Sequence, residues 1–110
     1  MKEIGNPLWV YITAANEDEA ERLAELMVNR NVAACVNLLG AIRSVYRWEG
    51  RVERGTEFAL VAKTTEHAFP RLERLVKEHH SYECPCIIAL PITAGYLPYL
   101  DWVRGCVAPD

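Results

Sequence analysis

Apolar and polar residues follow two different periods along this chain. Pro7 to Ala14 is rich in β-branched and aromatic residues, which predicts a strand because such side chains fit a pleated surface. The period then lengthens. Ala20, Leu23, Ala24 and Met27 fall at i, i+3, i+4 and i+7, the stripe of an amphipathic helix. Asn16 is placed to cap that helix, and Glu17, Asp18 and Glu19 crowd the positive end of its dipole. Glu19, three residues after the cap, completes a capping-box pattern. Arg30-Asn31 closes the helix. Val32 to Asn37 is β-prone, and Ile42 to Trp48 alternates, with Ile42, Ser44, Tyr46 and Trp48 on one face and Arg43, Val45 and Arg47 on the other. Gly40 predicts a bulge or bend between the two parts. Glu49-Gly50 is a turn signal, and Arg51 to Thr64 returns as a long strand with Gly55 as a second bulge candidate. Together they form a long hairpin.

A second helical stripe, Phe69, Leu72, Leu75 and Val76, predicts a helix from about His67 to His79. Pro70 must lie in its first turn, since deeper in it would clash with a preceding carbonyl. Cys86 to Leu90 reads as a short buried strand between Pro85 and Pro91. Tyr96 to Val103 reads as a short final segment with a helical turn or two. The order β-α-β-β-α-β is that of an α+β, ferredoxin-like split βαβ fold with an antiparallel sheet, a long hairpin and a short C-terminal segment.

Length limits the architecture and suggests assembly. The 110 residues correspond to a single domain spanning residues 1–110. A compact domain of this size has a radius of gyration near ~13 Å, hence a diameter of about 34 Å. Val32 to Trp48, fully extended, spans about 56 Å. A hairpin of that length overhangs its own domain and exposes Tyr46, Trp48 and Val52 on an unpaired edge. Such edges pair with something, and closed association of identical copies is the simplest outcome. Two shorter strands with a loop at Leu39-Gly40-Ala41 are the alternative.

Composition narrows the functional classes. A hydrophobic content of 51% and a charged content of 25% are those of a globular chain. Twelve basic residues stand against 15 acidic ones, a net charge of −3. No Lys/Arg cluster is available for a phosphate backbone, and no basic helix face for a membrane surface, so neither nucleic acid nor membrane is an expected partner. Met1 to Pro7 shows no apolar signal segment, and no apolar run approaches the ~20 residues of a membrane span. The cytoplasm is the expected compartment. There, Cys35, Cys84, Cys86 and Cys106 are expected to be reduced rather than paired. No phosphate-cradling glycine loop and no nucleophile elbow appears.

Several segments together resemble the CutA family, named for divalent cation tolerance. They are Ala33-Ala34-Cys35-Val36-Asn37, Ser44-Val45-Tyr46-Arg47-Trp48-Glu49-Gly50, Lys63-Thr64, His80-Ser81-Tyr82-Glu83-Cys84-Pro85, Ile88-Ala89-Leu90-Pro91-Ile92 and Tyr99-Leu100-Asp101-Trp102-Val103. The match runs from Val10 to Val103. The resemblance implies a ferredoxin-like subunit in a tight homotrimer whose hairpin reaches onto a neighbour. It also implies an association with copper and other divalent metals, and no established catalytic activity. A PII-like trimeric sensor of small ligands is the second reading, on likeness of shape.

The chemistry-bearing residues are weighed against simpler roles. His79 and His80 match the paired histidines of the family's proposed copper site; its first-strand cysteine falls at Ile12 here, which cannot ligate. Histidines at a helix C-terminus also cap carbonyls. Cys84-Pro85-Cys86 departs from the family pattern. In an extended stretch both thiols share a face, and with His79 or His80 they would offer soft ligands for copper or zinc. Both thiols also suit packing, as does Cys35 in its run of small apolar residues; Cys106, in the tail, reads as an incidental thiol. Tyr46, Trp48, Tyr82 and Trp102 are expected as interface anchors or the walls of a pocket between copies. Glu53, Glu57, Lys63 and Glu83 would rim such a pocket or form a solvated face. The expectation is a homotrimeric metal-tolerance protein, not an enzyme, with no certain cofactor and with copper or zinc as the candidates.

Overall fold

Side-chain alternation on a central strand organises the molecule. The computed structural model describes residues 5–107, so the leaderless reading of Met1 to Pro7 falls largely outside the described residues. Strand β1 (Pro7–Ala14) turns Leu8, Val10, Ile12 and Ala14 into the core, all nearly inaccessible. Helix α1 (Glu17–Asn29) follows, then β2 (Cys35–Trp48), β3 (Arg51–Thr65), α2 (Phe69–His79), β4 (Ile87–Pro91) and α3 (Leu97–Cys106). The four strands form an antiparallel sheet in the order β2-β3-β1-β4. This is the split βαβ arrangement expected from the element order.

One sheet face carries the main core. Ala20, Leu23 and Met27 of α1 and Leu72, Leu75 and Val76 of α2 meet Val10, Ile12, Leu60 and Ala62 there. Asn16 caps α1 as expected, its Oδ1 accepting from Glu19 N–H at 2.9 Å. Pro70 sits in the first turn of α2, where its missing N–H costs nothing. Beneath the helices the Thr64 hydroxyl donates to the Val32 carbonyl at 2.7 Å. That bond ties the segment between α1 and β2 to the sheet.

The hairpin overhangs the domain. The molecule measures 51 × 25 × 23 Å, and β2 and β3 continue well past the helices. At the tip, Glu49 (φ 51°) and Gly50 (φ 80°) both adopt positive φ, the two-residue turn whose twist matches the strands. The bulge expected at Gly40 is present: pairing shifts between Leu38 and Gly40, leaving Leu39 extra. Gly55 is no bulge. It pairs in register with Ser44, so the hairpin twists through one irregularity rather than two.

Three other sequence expectations change. The segment around Ile88 was expected to be buried, but β4 is an edge strand, with Ile88 and Leu90 exposed on the face away from the helices. Cys35 is not in the core. It pairs with Lys63 on that same open face, because Val36 is the residue that packs inward. Finally, the C-terminal segment is a ten-residue helix that includes Arg104-Gly105-Cys106. Its Leu100 and Val103 are buried as it packs against β3 and β1.

Candidate functional site

The open sheet face and the loop from α2 to β4 border a cleft of about 580 Å³. Ile42, Ser44, Tyr46 and Trp48 of β2, the set read as one face from alternation, form one wall. Tyr11 and Thr13 of β1 and Glu57 of β3 form the floor, and Tyr82, Glu83, Cys84 and Cys86 close the far side. The cleft therefore gathers Tyr46, Trp48, Glu57, Tyr82, Glu83, Cys84 and Cys86 from the sequence candidates. Glu53, Lys63 and Trp102 lie elsewhere: Glu53 pairs opposite Tyr46, Lys63 donates to Asn37, and Trp102 packs against Tyr99 with ring centroids 5.5 Å apart.

Glu57 is the polar centre of the cleft. Its two carboxylate oxygens accept from the Ser44 hydroxyl at 2.6 Å and the Tyr82 hydroxyl at 2.9 Å. Burial first, and then the hydrogen bond to Glu57 and its charge, push the Tyr82 phenol up to about 12. Burial also pushes the Cys86 thiol up, and the Glu57 charge adds to it, against an opposing hydrogen bond from Thr13. A raised thiol is a poor source of thiolate at neutral pH.

Sequence reading missed what holds this loop in place. Glu19 is buried at 3% exposure. Its carboxylate accepts from Ala15 N–H at 2.8 Å, Ser81 N–H at 2.7 Å and the Ser81 hydroxyl at 3.1 Å. Burial pulls its carboxyl upward, but the hydrogen bonds from Ala15 and Ser81 outweigh that and leave it below the ordinary Glu value. The capping-box signal marked Glu19 as reaching back toward the helix start; nothing in sequence joins it to Ser81.

The histidines have work within the chain. The His80 side chain is buried. Its Nε2 donates to the Thr13 carbonyl at 2.8 Å, and its Nδ1 accepts from Tyr82 N–H at 3.0 Å. Both ring nitrogens are thus engaged, and the ring lies against Tyr82 with centroids 4.7 Å apart. His79 donates through Nδ1 to the Leu75 carbonyl at 3.0 Å, the helix-end role weighed for it above, which leaves Nε2 to solvent. Cys84 is exposed and Cys86 half-buried, and both are free thiols. Among the described residues, no three His, Cys, Asp or Glu side chains gather as a metal ion would need. The donors among the described residues of a single copy, as they stand, do not make a closed metal site.

A second polar group lies under α3. The Cys35 thiol is 3.3 Å from the Tyr99 hydroxyl and 3.9 Å from Lys63 Nζ. The hydrogen bond with Cys35, then burial, raise the Tyr99 phenol to about 12. This cluster fastens α3 to the open face of the sheet.

Comparison with known proteins places this geometry. The family model described as CutA1 divalent ion tolerance protein matches residues 8–106. The divalent-cation tolerance protein CutA of Thermus thermophilus is 46% identical over 95 residues, covering 86% of this chain and 92% of that protein. The solved Thermus thermophilus divalent cation tolerance protein superposes with a TM-score of 0.91 at 43% identity, over 93% of this chain and 99% of that one. The solved Archaeoglobus fulgidus structure, described as a periplasmic divalent cation tolerance protein CutA, gives 0.88 at 42% identity over 92% and 98% of the two chains.

Proposed function

We propose a function from one premise: the chain belongs to the CutA1 divalent ion tolerance family. It acts in tolerance of divalent metal ions as a homotrimer, without a catalytic reaction of its own. The observation that carries the assembly is the hairpin. It projects beyond the helices with Val45, Tyr46, Trp48 and Val52 between 47% and 61% exposed. Both outer strands of the sheet, β2 and β4, have one unpaired edge, and β4 adds exposed Ile88 and Leu90. An apolar ribbon and two open edges in one molecule are the ingredients of closed pairing between copies.

Copper, or another divalent metal, is the proposed ligand of the assembly. Cys84, Cys86 and the outward Nε2 of His79 are the donors left available, while His80 serves only if its two internal hydrogen bonds break. Soft donors of this kind favour copper or zinc over magnesium. Because no converging set occurs among the described residues of one copy, donors from a neighbouring copy or a shift of the 81–86 loop complete the site. Family membership favours this reading over a PII-like sensor. Four free cysteines suit a reducing cytoplasm, which remains the proposed compartment although the Archaeoglobus fulgidus relative is described as periplasmic. Among the described residues, no helix is long and apolar enough to cross a membrane.

Native mass spectrometry with and without Cu(I), Cu(II) and Zn(II) tests both parts. A species at three times 12.5 kDa that takes up metal, and loses that uptake in a Cys84→Ser/Cys86→Ser variant, is the expected result. A monomer overturns the assembly. A trimer that binds no metal overturns the direct metal role alone.

A further inference from the structure

We infer that Cys35 and Lys63 form a site of oxidative cross-linking, closed by a sulfur–nitrogen bond when a peroxide reaches the thiol. The two residues stand directly opposite each other on β2 and β3, where cross-strand Cβ atoms lie about 4.5–5.5 Å apart. Lys63 Nζ is 3.9 Å from Cys35 Sγ, and the Tyr99 hydroxyl of α3 is 3.3 Å from the same sulfur. No carboxylate pairs with Lys63 among the described residues; its other contact is the Asn37 side-chain oxygen. An amine beside a thiol and tied to no anion can turn onto it, because the four-carbon stem of lysine is flexible.

The thiolate is the form that attacks peroxide. One peroxide oxygen joins the Cys35 sulfur, the O–O bond breaks and hydroxide leaves, so the sulfur is oxidised to a sulfenic acid and the peroxide is reduced. The hydroxide takes a proton from the Lys63 ammonium and becomes water. The neutral amine then attacks the sulfur. An N–S bond forms as the S–O bond breaks, and the departing oxygen takes one amine hydrogen and leaves as a second water. Sulfenic acids condense in this way with a neighbouring backbone nitrogen; here a side-chain amine stands in its place. The bond consumes the thiol that Tyr99 touches and the amine that Asn37 accepts from, so oxidation changes how α3 is fastened to the sheet.

The site coexists with the proposed assembly. Both atoms belong to one chain, Cys35 begins β2 at the end away from the hairpin tip, and α3 of the same copy meets the sulfur through Tyr99. A neighbour that covered this face would leave the pair in contact, and hydrogen peroxide is scarcely larger than water. Neither residue borders the cleft, and Cys84, Cys86 and His79 take no part, so the step depends on neither the metal reading nor an exposed hairpin.

The test is to treat the intact protein with hydrogen peroxide, alkylate and digest it, and read the peptides by mass spectrometry. The peptides carrying Cys35 and Lys63 should appear joined, at their summed mass less two hydrogen atoms, and dithiothreitol should separate them. Lys63→Arg keeps the positive charge and should abolish the link, leaving a Cys35 sulfenic acid that dimedone labels. If that variant fails to fold, acetylating the lysines of the wild-type protein before oxidation removes the same amine and should give the same loss. A Cys35 sulfinic acid with no joined peptide in the wild type overturns the inference, as does a Cys35 disulfide with Cys106 or any other thiol. A Cys35 thiol untouched by peroxide overturns it, and so does a joined peptide that persists in Lys63→Arg.

Discussion

Replacing Glu19 by alanine tests whether one buried carboxylate fixes the loop that closes the cleft. The substitution strands two backbone donors, Ala15 N–H and Ser81 N–H, which now meet the carboxylate at 2.8 and 2.7 Å. A fully buried donor left without a partner costs about 1–3 kcal/mol; both of these bonds are part-buried, so water can replace some of the loss and the pair together should cost about 1–3 kcal/mol. The Arg22 and His80 contacts at 3.9 Å add little, Arg22 being largely exposed. Glu19→Gln keeps the shape and one acceptor but turns an amide N–H toward a donor, so it should recover only part of the loss. Guanidinium unfolding at one fixed protein concentration gives the stability difference, the concentration being held because assembly shifts midpoints. Native-state hydrogen exchange at Ser81 gives the local effect. The sign with pH is defined. Glu19 lies below its ordinary value in the fold, so its contribution is full above the unfolded value of roughly 4.3 and is lost as pH falls through the folded value. The gap between wild type and Glu19→Ala should therefore close on acidification. If the alanine variant unfolds within about 0.5 kcal/mol of wild type and Ser81 exchanges no faster, the carboxylate does not hold the loop.

Three further outcomes are expected. If the proposed trimer buries Trp48, Trp48→Ala should weaken it by about 3–5 kcal/mol per site, seen by sedimentation as dissociation on dilution; an unchanged assembly would mean the ring stays in solvent. Glu57→Gln should lower the Tyr82 ionisation from about 12 toward the ordinary tyrosine value, because the charge and the carboxylate hydrogen bond both hold the proton on, and ultraviolet titration reads this directly. Iodoacetamide should modify exposed Cys84 well before Cys86 at neutral pH, with Cys86 catching up as pH rises, since burial and Glu57 raise its thiol; equal rates followed by peptide mass spectrometry would contradict that ordering.

The periodic signals carried most of the architecture. Alternation in β1 and the stripes of α1 and α2 reflect burial against the sheet, which repeats along the chain and is therefore readable from it. Asn16, Gly40 and Glu49-Gly50 were legible because caps, bulges and tight turns restrict local backbone and side-chain chemistry. Ile88 and Leu90 misled because an apolar strand looks alike whether its own chain or another copy covers it. Gly55 misled because glycine is tolerated in a paired strand as well as in a bulge. The cleft was half visible. The face Ile42-Ser44-Tyr46-Trp48 followed from alternation, but its junction with Tyr11, Thr13 and Glu57 depends on strand order. The Glu19–Ser81 bond joins residues 62 positions apart, a separation at which single-sequence patterns are silent. His79 and His80 looked equivalent in sequence, yet the helix ends between them, so one points to solvent and the other to the Thr13 carbonyl.

The extra residue at Leu39 decides which half of the hairpin's side chains the cleft can use. Before it, even-numbered residues of β2 oppose even-numbered residues of β3, as in Leu38 with Leu60; after it, even opposes odd, as in Tyr46 with Glu53. Val36 and Leu38 thus lie on the helix side, while Ile42, Ser44, Tyr46 and Trp48 come up on the other. Without that change of parity, Arg43, Val45 and Arg47 would line the wall, with two guanidinium groups in place of the aromatic rings. The chemistry that the open face presents is therefore written partly as a count of residues. A point substitution changes one position of the wall, whereas forcing Leu39 into the ladder would exchange the whole set of side chains at once.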